Sequence, residues 1–218
     1  AAVFFLACPS TFAESITVFE LSKIDSIKIE TPFQIFGEDY SVYGLRVSMC
    51  YGINRNLIGI DINPIGVSRL NGSMAGLQLG LGYHHVECNA YGMQLSGIAN
   101  KSETMTGIQL TGGRNVVDTM IGLQIGGVYN HTKTMDGIQL SLGANLVMDK
   151  YYGPGLQASG FFNHGGEGFS GIQVTGGINL AGGGKHRLPV LQVAGIWNAC
   201  SDLGGVQISF IGNSSGSD

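Results

Sequence analysis

Charge is what this sequence has least of. Asp, Glu, Lys and Arg make up 12% of the chain, about half the share in an ordinary globular protein. Net charge is −4, so the basic footprint that nucleic acid requires is missing. Proline is scarce, at 5 residues. Cysteine is sparse and irregular: Cys8, Cys50, Cys88 and Cys200 fit no zinc spacing. Without Cys8 an odd number remains, so a disulfide framework is not expected. The apolar run at residues 1–7 is too short to span a bilayer as a helix. No P-loop is spelled anywhere.

Glycine is abundant instead, at 36 of 218 residues. It recurs with a period, which argues against disorder and for stacked strands. Residues 107–121, GIQLTGGRNVVDTMI, are answered by residues 122–136, GLQIGGVYNHTKTMD. Such self-similarity marks a repeat architecture. Regular repeats lead with Gly76, Gly92, Gly107, Gly122, Gly137, Gly155, Gly171, Val190 and Gly205, spaced 16, 15, 15, 15, 18, 16, 19 and 15 residues apart. Looser copies lead with Gly44 and Gly59, where Arg46 and Asp61 stand in place of Gln. The extra residues fall at 146–154 and 180–189, after the repeat's Asn, and read as loops.

Two residues after each leading position is a Gln: Gln78, Gln94, Gln109, Gln124, Gln139, Gln157, Gln173, Gln192 and Gln207. Eight residues after it is Asn100, Asn115, Asn130, Asn145, Asn163, Asn179, Asn198 or Asn213, with His84 the exception. An apolar residue often precedes the lead by two, as at Met74, Met105, Met120, Met135, Phe169 and Leu203. The first and third positions after the lead are Leu, Ile, Met, Val or Ala, alternating with Gly, Gln and small residues. Alternation at period two is a strand signal. The expected fold is all-β: a repeat β-solenoid of about 15-residue coils. Parallel stacking puts identical side chains about 4.8 Å apart, so the Gln and Asn columns should form structural amide ladders, as in cross-β packing.

By the usual hydrophobic criterion the Leu/Ile positions face the core and the Gln face lies outward. Asn at position eight is expected in a turn. Ser96, Thr111, Ser141, Ser159, Thr175 and Ser209 then flank the Gln ladder as a candidate binding face of small polar groups. The alternative fold is an antiparallel outer-membrane β-barrel built from the same repeats. Tyr129, Phe162 and Trp197 would form its interfacial girdle, and alternating loop lengths suit it, while the single polarity of the motif opposes it.

The opening AAVFFLACPSTFAES resembles a secretory leader with cleavage after Ala13, and Cys8 also sits in a weak lipoprotein-like context. The expected organisation is residues 1–13 as a signal-peptide remnant and 14–43 as a β lead-in or cap, with a strand marked by Ile27 and Ile29. Residues 44–213 form the repeat domain of about 11 repeats, and 214–218 a polar tail.

The repeat G-[ILMV]-Q-[ILVA]-x-x-x-x-N, led by VYGLRVSMCYGINRNLIGIDI, resembles bacterial surface-repeat proteins made of GLQIGLVN-like units behind an exported N-terminus. The likeness covers residues 42–213. It implies an exported, surface-associated protein and transfers no activity and no catalytic residue. The expected function is therefore structural or adhesive and non-catalytic, at the cell surface or outer membrane. Alternatives are a barrel forming a small pore, and a carbohydrate-binding or carbohydrate-active solenoid. No cofactor or metal is assigned. A surface glycan or another surface protein would suit the polar face as partner, nucleic acid would not, and membrane association stays open. His84, His85 and Cys88 group in sequence without a third ligand at zinc spacing, and read as a surface turn. His131, His164 and His186 also read as turn residues. So do Asp118, Asp136, Asp149 and Asp202, which lack the calcium-solenoid period.

Overall fold

The computed structural model describes residues 27–30 as backbone, then 39–48, 50–152, 154–182, 189 and 191–216. The leader expected at 1–13, most of the lead-in, His186 and most of the second insertion lie outside the described residues. The strand expected at Ile27 and Ile29 is present as Ile27–Glu30.

Among the described residues there are 19 strands and no helix. They wind into a β-solenoid of about 10 turns with about 16 residues per coil. Every strand pairs in parallel with its equivalent one coil away. Arg114–Gly126 lies between Ala99–Thr111 and Tyr129–Ser141, with Gln109 opposite Gln124, Gln124 opposite Gln139, and Asn115 opposite Asn130. The antiparallel barrel is thereby overturned: a meander would put Asn115 and Asn130 at opposite ends of neighbouring strands. Tyr129 and Phe162 belong instead to one column on the outside of the coil that continues to Trp197.

Each coil has two walls joined by a short turn, as at Gly112-Gly113 and Gly127-Val128. The wall carrying Gln is bent at the leading glycine. Gly107 and Gly122 have φ of 136° and 129°, a region L-residues rarely adopt. A Cβ on Gly122 would lie 2.1 Å from the carbonyl oxygen of Gly107. The leading glycines are thus required by backbone angle and by contact with the coil beneath.

The alternation is present as expected, but the coil closes the other way round. Gln78 through Gln192 and Asn100 through Asn198 are fully buried at the ladder positions. The aliphatic residues beside Gln form the outer surface, with Leu95, Ile138 and Val174 each about 40% exposed. The expectation of an outward Gln face is corrected. The hydrophobic criterion assumes that burying an amide is costly, which holds only for an unpaired amide. Here each amide meets its own kind one coil away, so that cost is offset. Asn is corrected likewise: it lies on a strand just after the turn, as in Arg114–Gly126, and points inward.

Apolar packing completes the interior. Leu57, Met74, Ala90, Met105, Met120 and Met135 stack in one buried column. Each buried Met contributes roughly 1.5–3 kcal/mol. On the opposite wall Leu70, Val86, Val117 and Val147 fill the same core. Where the first insertion widens the coil, Tyr151 takes over the Met column, paired with Met135. Its ring meets Phe169 edge-on at 4.8 Å, and its hydroxyl donates to the Gly137 carbonyl at 2.5 Å. Residues 146–151 of that insertion are strand rather than loop, within Ala144–Tyr151. Cys50 and Cys200 carry free thiols, the first exposed and the second buried.

Candidate functional site

Inside the coil, two amide ladders run the length of the regular repeats. In the first, each Gln Nε2 donates to the Oε1 of the Gln one coil earlier, from Gln207 back to Gln78, at 2.6 to 3.1 Å. The second N–H crosses the interior: Gln109 donates to Ser102 Oγ at 3.0 Å and Gln173 to the Leu180 carbonyl at 3.0 Å. In the second ladder each Asn Nδ2 donates to the Oδ1 of the Asn one coil later, from Asn100 to Asn213, at 2.8 to 3.0 Å. Its other N–H reaches a carbonyl beside the following turn, as Asn115 does to Ile125 at 2.9 Å. The two ladders therefore run in opposite directions, and their amide dipoles oppose along the axis. A side chain that both donates and accepts can propagate such a chain without end.

The Gln ladder ends on a buried ion pair. Arg46, Asp61 and Gln78 occupy successive places in one column. Gln78 Nε2 donates to Asp61 Oδ2 at 3.2 Å. Arg46 grips the same carboxylate with two N–H groups, at 2.8 and 2.7 Å. Ser68 also bonds both partners, and Arg46 reaches Asn54 Oδ1 at 3.0 Å. Both charged side chains have no exposure. A carboxylate only accepts, so it fixes the direction in which every later Gln must donate.

The Asn ladder begins less tidily. His84 holds the place before Asn100, fully buried. Among the described residues, neither ring nitrogen of His84 nor Oδ1 of Asn100 has a hydrogen-bond partner of good geometry. Burial pushes the His84 pKa down to about 4, against the opposing pull of Asp61. Its chain neighbour His85 faces outward and Cys88 is buried, all on one strand, Tyr83–Ser96. The surface turn expected there is corrected. His131, His164 and Asp118 are likewise on strands, and Asp118 pairs with Lys133 at 2.7 Å.

The candidate binding face is also relocated. Ser96, Thr111 and Thr175 are buried, while Ser141, Ser159 and Ser209 are half-buried and share their inward column. Ser96 donates to Thr111 at 3.0 Å, Ser159 to Thr175 at 3.1 Å, and Ser209 to the Gly212 carbonyl at 2.7 Å. These hydroxyls tie coil to coil and coil to turn. Their column points into the coil and forms no open face.

What faces outward differs on the two walls. On the Gln wall, each residue one and three after the lead, from Leu45 and Val47 to Val206 and Ile208, is Leu, Ile, Val, Met or Ala. The turn beside this wall carries Leu81, Ile98, Val128, Leu142 and Phe161, each more than half exposed. On the other wall charges of both signs stack: Arg69 with Glu87, and Lys133 with Asp118. An open depression of about 350 Å³ there is lined by His85, Glu87, Lys101, Ser102, Glu103 and Asp118. Partial burial lowers the His85 pKa, and Lys101 lowers it further. Among the described residues, no three His, Cys, Asp or Glu side chains come together to hold a metal ion. Gly212 to Gly216 spell G-x-S-x-G, but Ser214 sits exposed on a paired strand, opposite Ala199, without the strand-to-helix elbow that activates such a serine.

No family model, no curated protein and no solved structure matches the chain. The outward aliphatic wall is what sequence reasoning missed. Period-two alternation marks its residues in the sequence, and the hydrophobic criterion assigns them to the interior. The Arg46/Asp61 cap had a visible signal, two ionisable residues of opposite sign in successive Gln positions.

Proposed function

We propose that this is an exported, surface-associated repeat protein of structural or adhesive type, without catalysis, whose working part is the aliphatic outer wall. The observation that supports this reading is the wall itself: paired aliphatic columns, in register coil after coil, left in contact with solvent. A contiguous apolar surface beyond a few hundred Å² marks an interaction site. The amide ladders behind it make a rigid backing that costs little to order on contact. The small-polar face that would have suited a glycan is turned inward, so an apolar protein surface is the partner of choice. Export rests on the apolar leader expected at residues 1–13.

The experiment is protease treatment of intact bacterial cells producing the full chain with a C-terminal epitope. The expected result is loss of the epitope without lysis, and an intact mass lacking residues 1–13. An epitope that becomes sensitive only after lysis, on a chain that keeps its leader, would overturn export and surface placement.

A further inference from the structure

We infer that the aliphatic wall is the interface of a homodimer, in which two copies of this chain pack wall to wall as a two-sheet sandwich. The inference rests on the reading of that wall as the working surface and names its partner. Three observations carry it.

The first is area. About 10 turns at about 4.8 Å each give a wall about 48 Å long. The strand from the leading glycine to the small polar residue, five positions at about 3.3 Å, gives a width of about 17 Å. The product is about 800 Å², which is what each partner contributes to a stable interface of standard size.

The second is charge. The two outward columns on this wall carry no ionisable side chain from Leu45 to Ile208. The opposite wall carries ion pairs such as Lys133 with Asp118. A polyanion or an acidic peptide would find nothing to pair with on the aliphatic wall. A like apolar surface loses nothing by covering it, and gains the burial of side chains such as Leu95, Ile138 and Ile172, each about 40% exposed in the single chain.

The third is corrugation. Parallel in-register stacking makes aliphatic ridges repeat at one strand spacing along the axis. A surface that interdigitates with them over the whole length needs the same spacing, and a second copy has it. Two sheets packed this way sit about 10 Å apart. A two-fold axis between identical walls closes the assembly at two copies, because each wall is then used up.

The test is sedimentation velocity with light-scattering mass on the purified full chain in detergent-free buffer. The expected mass is twice the 22.9 kDa of one chain. Ile138→Lys with Ile172→Lys should shift the species to a single chain, and far-ultraviolet circular dichroism should be unchanged because both side chains are outward. Ile138→Thr with Ile172→Thr, which keeps strand propensity, should weaken association at least tenfold and guards against misfolding of the lysine variant. Asp118→Lys on the other wall should remain a dimer. A wild-type protein that stays a single chain at 100 μM would overturn the inference. So would a dimer that survives both wall variants, or a single chain that floats with phosphatidylcholine vesicles. A monomer still displayed on intact cells sinks the self-pairing alone. A wall-dependent dimer retained inside cells sinks the surface reading alone.

Discussion

The coils of Arg46 and Asp61 and the coils from Gln78 onward solve one problem with different chemistry. Both must fill the same inward column. Arg46 and Asp61 do so with a donor-only and an acceptor-only group, fully buried against each other. The later coils use Gln, which is donor and acceptor at once. Neither charged residue can repeat by itself, since stacked carboxylates repel and stacked guanidiniums have nothing to accept their protons. An amide repeats indefinitely. The contrast explains why the long run of the column from Gln78 onward carries no charge and why the buried ion pair sits at its end.

The largest effect is expected at the ion pair. Asp61→Ala leaves the Arg46 guanidinium buried without its counter-charge, and should cost about 3–5 kcal/mol in urea unfolding. Replacing both, Arg46→Gln with Asp61→Gln, extends the amide ladder by two places and should fall within about 1 kcal/mol of the wild type. A double variant as unstable as the single would mean that the cap does more than terminate the ladder.

Next comes the middle of the ladder. Gln124 gives a bond to Gln109 and takes one from Gln139. Gln124→Ala orphans both neighbours and should cost about 3 kcal/mol, since each buried unpaired group costs about 1–3. Because solenoid coils hold only their neighbours, hydrogen exchange should quicken first around 109–139.

Third is pH. His84 has its pKa lowered to about 4 by burial, against about 6.5 when unfolded. Below pH 6.5 the unfolded state binds the extra proton and the folded state does not, so stability falls with acidification. It should be whole at pH 7, lower by about 2 kcal/mol at pH 5, and level below pH 4. His84→Asn should flatten that profile and offer a donor to Asn100 Oδ1. A variant with the same pH dependence as the wild type would place the titration elsewhere.

The smallest effect is expected one residue from the ladder. Leu123→Thr, on the outer wall, should change single-chain stability by under about 0.5 kcal/mol. A loss equal to that of Gln124→Ala would reverse the assignment of the two faces.

The sequence by itself determined the period and the identity of the ladder columns, and the single polarity of its motif favoured the parallel register over the antiparallel meander. Identical Gln and Asn at a fixed spacing can satisfy one another only if each lies above the last, and Asn115 opposite Asn130 is that arrangement. It also placed the leading glycines, which a bent strand pressed on its neighbour requires. What only the tertiary structure decided is which side of the strand is inside. Period-two alternation looks the same from both faces. The choice depends on how the coil bends at Gly107 or Gly122 and turns at Gly112-Gly113 to close on itself. Hydrophobicity favours Leu123 for the interior, yet Gln124 is there with no exposure. The energy that reverses the preference lies in hydrogen bonds between coils, such as Gln139 to Gln124 at 2.9 Å. Those bonds exist only once the neighbouring coil is in place.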